Sequence, residues 1–233
     1  MAAELEKLAG QFKTSGNKDI AQAVSGLAAI AKTRGIDTFQ AAPVPTAVEA
    51  EAPQVQRFSK EAREALDQRG FKVYELTGQS IKTLREQDGH PFRSTWHQSY
   101  PEFEALSSRH SEVAIDPKKL FIPRSNDKTL TQQLDAVASY SKTLQISGVE
   151  AVLGQAADYA ELAFAHLDKT GERLFGEKYD YEYTRTQTRV EGGVADVGYF
   201  CADGGLGVSD WGPDHRGGYI FAAPLVVPVS GTK

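Results

Sequence analysis

After Glu191 this chain almost stops using three common polar residues. Lys, Glu and Gln number 45 among its 233 residues, and only Lys233 lies beyond Glu191, where the density of the first 191 residues would place about nine or ten. Ten of the 21 glycines crowd into the same 42 residues. Strand-rich segments run short of Lys and Glu, and glycine supplies turns and bulges. Nothing after Tyr179 has a helical period. Tyr181, Tyr183, Val190, Val194, Val197 and Tyr199 punctuate short strands instead, and Phe221 to Val229 is a last apolar strand interrupted by Pro224 and Pro228.

The rest of the chain divides by texture. Residues 1–40 read as a helical hairpin: Leu5, Leu8 and Phe12 share a face, Thr14 to Asn17 turn, and Ile20, Val24, Leu27 and Ala31 form a second stripe stopped by Gly35. Residues 41–56 are rich in Ala and Pro and lack a period, which predicts an extended linker. A folded domain is expected over 57–233. It begins with a helix from Ser59 to Gln68 and a strand from Phe71 to Leu76, followed by a helix from Ser80 to Gln87. Turns holding Trp96, His97, Tyr100 and Phe103 follow, then short strands at Val113–Ile115 and Leu120–Ile122. Asn126 or Asp127 is the expected cap of a helix through Leu130, Leu134, Val137 and Tyr140. A second helix is expected from Val149 to Leu167, closed by Gly171. Helices followed by an all-β terminus predict an α+β domain, with two helices packed on a twisted antiparallel sheet.

Composition narrows the function. The net charge is −5 and no basic run occurs, so a nucleic-acid partner is not expected. One cysteine, Cys201, allows neither an internal disulfide nor a multi-cysteine metal site. The opening residues lack the pattern of a secretory leader, and no apolar run nears the roughly 20 residues that span a bilayer. The default expectation is an intracellular chain without a membrane span, cofactor or metal.

The C-terminal residue set has a further property. Between Tyr199 and Tyr219 the positions outside the apolar skeleton are Tyr, Cys, Asp, Gly, Ser, His and Arg, all encodable by two free bases followed by cytosine. Randomising the adenines of AAC codons produces that set. The fixed skeleton between them is Val197, Phe200, Leu206, Val208, Trp211, Pro213, Ile220 and Phe221. Tyr, Ser, Gly and Asp also dominate other adaptable binding surfaces.

On these residues, together with Tyr183-Thr184-Arg185-Thr186, Val194 to Phe200, Gly205 to Val208 and Phe221 to Val227, the chain resembles the variable proteins of diversity-generating retroelements. The resemblance covers roughly residues 120–229. It implies a C-type-lectin-like fold of the formylglycine-generating-enzyme-like variety. It also implies a non-enzymatic ligand-binding function with a variable region at about 194–219. By position, the variable residues would be Tyr199, Cys201, Asp203, Gly204, Gly207, Ser209, Asp210, Gly212, Asp214, His215, Arg216, Gly217, Gly218 and Tyr219. The partner implied is a macromolecule, a protein above all, and residues 1–40 would serve docking or oligomerisation.

Other readings compete. The calcium and sugar tripeptides Glu-Pro-Asn and Trp-Asn-Asp are absent, and a lone cysteine does not supply a formylglycine-generating pair, so neither activity carries over. Gly204-Gly205-Leu206-Gly207 is not followed by a helix and so does not read as a phosphate loop. The alternative from another class is a small hydrolase or transferase. It would use His97, near His90 and His110, with an aspartate from among Asp180, Asp196, Asp203, Asp210 and Asp214. A third is a structural subunit that oligomerises through its N-terminal helices.

Overall fold

The computed structural model describes residues 2–14, 18–33, 54–93, 95–176 and 181–229, and the chain forms two compact units, Met1–Ala52 and Pro53–Lys233. The first unit contains helices α1 (Ala2–Thr14) and α2 (Lys18–Thr33). Thr14, expected to open the turn, ends α1 instead; the rest of that turn from Ser15 to Asn17, the stop at Gly35 and the Ala/Pro linker up to Pro53 lie outside the described residues. Among the side chains described there, only Ala9 and Ala28 are buried, whereas Ile20, Leu27 and Ile30 are 46%, 55% and 51% exposed. Of the expected α2 stripe, Ile20 and Leu27 are therefore exposed and Val24 is half-buried, and Ile30 adds a further exposed apolar side chain.

The second unit starts before residue 57, since Gln56 accepts from the Glu112 amide at 2.7 Å and donates to the His110 carbonyl. Helix α3 (Lys60–Gln68) begins at Ser59, whose hydroxyl takes the Ala62 amide, and stops at the left-handed Gly70. Strand β1 (Lys72–Thr77) and helix α4 (Ile81–Arg85, capped by Ser80) follow. The stretch read as turns holds a 3-10 turn over Trp96–Ser99 and a short helix α5 (Pro101–Glu104), after which comes β2 (His110–Ile115). Three expectations need correction. Leu120–Ile122 is irregular rather than a strand: Leu120 fills the core and the Ile122 amide donates singly to the Ala222 carbonyl. Helix α6 (Leu130–Leu144) is capped by Thr129 in a capping box with Gln132, because Asp127 sits at φ 54° and Asn126 reaches the Gly218 carbonyl instead. Val149–Leu153 is a strand, β3, and only Ala156–Thr170 is helical, as α7 closed by the left-handed Gly171.

The C-terminal strands are β4 (Tyr183–Val190), β5 (Gly193–Cys201), β6 (Gly205–Trp211), β7 (Ile220–Phe221) and β8 (Pro224–Pro228). The unit is α+β with mainly antiparallel pairing, but in two four-stranded sheets rather than one. The first has the order β1-β2-β8-β3; the second has the order β6-β5-β4-β7, with β7 parallel to β4. Helix α7 packs against β1 of the first sheet and β5 of the second, which explains why most of its residues are buried. Its Tyr159 hydroxyl donates to the Ala223 carbonyl and accepts the Gly154 amide. Phe164, Val197, Phe200, Leu206 and Val208 share one core cluster, and α6 covers a second with Leu66, Phe71 and Val226.

Candidate functional site

Strand alternation gives the second sheet two different faces. Ala195, Val197, Leu206 and Val208 point to the core. The other face carries rows set by register: Tyr183, Gly198 and Gly207 lie abreast, as do Arg185, Asp196 and Ser209, with Trp211 opposite Val194. Asp210 is off this face. It points the other way, beside Gly193, where an added Cβ would lie 2.7 Å from its carboxylate, and partial burial raises its carboxyl above the usual range.

At one end a bulge between Gly198 and Cys201 turns Tyr199 into a left-handed conformation, φ 45°. Its ring leaves the strand plane and stacks on Tyr181 at 4.4 Å, with the Arg93 guanidinium 4.3 Å from its centroid. Tyr181 pushes the Tyr199 phenol up to about 12. Arg93 also donates to Cys201 Sγ at 3.0 Å, a basic neighbour that sequence adjacency did not show. Asp203 and Gly204 form the hairpin tip, and a cleft between Arg173, Phe175, Tyr199, Cys201 and Asp203 opens beside it. At the other end Trp211 stacks on His215 at 4.4 Å and meets the edge of Tyr219 at 5.7 Å. Asp214, His215, Arg216, Gly218 and Tyr219 are exposed around that cluster.

The glycines expected to vary are not equivalent. Gly207 is buried, and a Cβ there would meet the Gly198 carbonyl at 2.8 Å and the Tyr183 hydroxyl at 2.9 Å. It is a close-approach position rather than a surface one. Gly217 is also buried, with Ile220 3.1 Å from the Cβ it lacks. A Cβ on Gly204 would press on the Arg93 side chain, at 2.9 Å from its head group and 3.3 Å from its stem, and on Cys201 Sγ at 3.2 Å, while Gly212 and Gly218 have no neighbour nearer than 3.6 Å.

The segment from Gly212 to Ile220 is held by its main chain. Arg185 Nη1 donates to the Gly212 carbonyl at 2.9 Å and Nη2 to that of His215 at 2.8 Å. The Leu130 amide donates to Pro213, the Asp127 amide to Gly217 and the Tyr183 amide to Tyr219. Asn126 Nδ2 donates to Gly218, and the fully buried Gln133 donates to Ile220. None of these seven tethers uses a side chain of the segment itself.

Arg185, which holds this segment, has a buried ionisable neighbour in Asp196. Arg185 and Asp196 are each 1% exposed and face each other across β4 and β5. Arg185 Nε and both Asp196 carboxylate oxygens lack a hydrogen-bond partner among the described residues. Burial pushes the Asp196 carboxyl up to about 7 against the pull of Arg185, and burial lowers the Arg185 guanidinium.

The residues of the hydrolytic alternative are placed differently. His97 is fully buried, its Nδ1 3.0 Å from Glu104 Oε1, and Arg85 holds that same oxygen at 2.9 Å. His90 stacks on Phe164 and reaches Asp168, and the His110 ring packs under Gly78. The candidate Asp180 lies outside the described residues. Among the described residues no group of three His, Cys, Asp or Glu side chains could hold a metal ion, and no helix is long and apolar enough to cross a membrane. No protein-family model, curated protein or solved structure matches the chain.

Proposed function

We propose that this protein is a ligand-display protein. Its second unit is a C-type-lectin-like domain of the formylglycine-generating-enzyme-like variety, and its C-terminal face is diversified by a retroelement to bind macromolecular ligands, proteins above all. The observation that carries the reading is the set of tethers on residues 212–220. Seven main-chain carbonyls are gripped by donors from outside the segment, so side chains there can change without cutting the attachment. Substitutions at exposed positions usually cost within about half a kcal/mol, which makes such a surface variable at constant fold.

Tyr199, His215, Arg216 and Tyr219 are the binding anchors in this reading, because aromatic residues and arginine dominate interface hot spots. Tyr181, Tyr183 and Arg93 contribute constant surface beside them. The exposed Ile20, Leu27 and Ile30 of α2 favour a second role for the first unit, association with another helix pair.

Sequencing the few kilobases around the gene tests the diversification. A reverse-transcriptase gene is expected, with a near-repeat of the 3′ coding region differing almost only at adenines. A flanking region with neither removes the retroelement from the reading.

A further inference from the structure

We infer that Arg185 and Asp196 are positioning residues for the 212–220 segment: together they form a buried clamp whose grip loosens when Asp196 loses its proton. The clamp's relevance to ligands rests on the display reading; its existence does not.

The geometry assigns Arg185 one task. Its two terminal nitrogens hold the carbonyls of Gly212 and His215, with Pro213 at 3.5 Å, so a single guanidinium spans the turn that carries Asp214 and His215. A planar fork suits this bridging and a lysine ammonium does not. Asp196 lies abreast of it in the ladder, buried, with the Trp211 side chain favouring its carboxylate form but no hydrogen bond of full geometry to either oxygen among the described residues. The groups around Asp196 are Arg185 and Tyr183 from β4, and Asp210 and Trp211 from β6. From the segment, Asp214 acts on Arg185, and His215 lies against Trp211.

Arg185 favours the carboxylate form of Asp196; burial opposes it and wins. A closed segment therefore holds the proton on Asp196 more tightly than a loosened one, in which water reaches the carboxyl and its pKa returns toward the ordinary 3.8. By linkage, proton binding favours the closed state, and raising the pH through neutrality favours opening. Asp196→Asn keeps the neutral form at every pH and stays closed. Arg185→Met removes the grip and stays loose at every pH.

The test is hydrogen exchange of the 212–219 amides in the full-length chain, with rates corrected for the intrinsic pH dependence. Between about pH 6 and pH 8.5 the opening equilibrium is expected to rise roughly tenfold in the wild-type protein, the size that linkage gives for a closed-state pKa of about 7. In Asp196→Asn it should be flat and low. A flat wild-type profile, or a slope that persists in Asp196→Asn and vanishes in His215→Asn, overturns the clamp. If Asp196→Asn does not fold, the carboxyl carbon resonance of Asp196 in the wild-type protein decides. A midpoint that coincides with the exchange transition supports the clamp, and one below about pH 5 overturns it. No arm uses a ligand or the gene's surroundings, so the display reading can fail while the clamp stands.

Discussion

Replacing Gly207 by alanine places a methyl carbon 2.8 Å from the Gly198 carbonyl oxygen, 2.9 Å from the Tyr183 hydroxyl and 3.0 Å from its Cε1. Real Cβ atoms essentially never approach that closely, so something must move. The Gly198 carbonyl belongs to the neighbouring strand, and shifting it strains the β5–β6 ladder. The ring of Tyr183, which lies beside Tyr199, would have to swing aside while its backbone amide stays bonded to Tyr219. Overpacking of this kind costs about 1–3 kcal/mol. Gly212 is the control. Its nearest neighbour would be 4.0 Å from the new carbon and its φ is not in the left-handed region, so alanine there should be neutral or stabilising by about 0.4–1 kcal/mol through the unfolded chain. Urea unfolding of both variants measures the difference as a shift in midpoint at constant slope. In heat, the Gly207→Ala loss corresponds to a drop of roughly 2–12 °C for a unit of this size. Equal stability of the two variants would refute the steric sorting of the glycines.

Alanine at Tyr199, His215, Arg216 and Tyr219 together should abolish ligand binding and leave the melting temperature nearly unchanged; a large loss of stability with binding intact would sink these anchors. Tyr159→Phe should cost about 1–3 kcal/mol by leaving the Gly154 amide and the Ala223 carbonyl without partners, and an unchanged unfolding midpoint would show that water replaces the hydroxyl. Changing Leu27 and Ile30 to aspartate should reduce the particle size in light scattering if the α2 stripe drives association, and a size that does not change removes that role.

Much of the second unit was legible where local chemistry decides it. Ser59 and Gly70 bound α3, Gly171 ends α7, and strand texture after Tyr179 follows from glycine and aromatic spacing. Val149–Leu153 was not legible because its apolar residues fit both a helical and a strand period, and only pairing with Pro224–Pro228 selects the strand. The splitting of the β structure into two sheets depends on β8 leaving the second for the first, a matter of long-range pairing. In the candidate site, Gly207 and Gly212 are the same letter in the sequence, and neighbouring atoms alone distinguish them. Arg93 and Tyr181 reach Tyr199 from elsewhere in the chain. Asp210 and Ser209 are adjacent yet lie on opposite sides of one strand, which a list of polar positions does not reveal.

The row of Tyr183, Gly198 and Gly207 runs across the middle of the face, and no new side chain fits along it. It divides the surface into two plots. One carries Tyr199 to Gly204 beside Tyr181 and Arg93; the other carries Ser209 and the segment around Trp211, His215 and Tyr219. Changes in separate plots share few partners, so their effects on binding should nearly add. In the display reading, a sequence that improves one half can be kept while the other is still being searched. Two short searches are far smaller than one over all combinations, and the barren strip between them makes that economy structural.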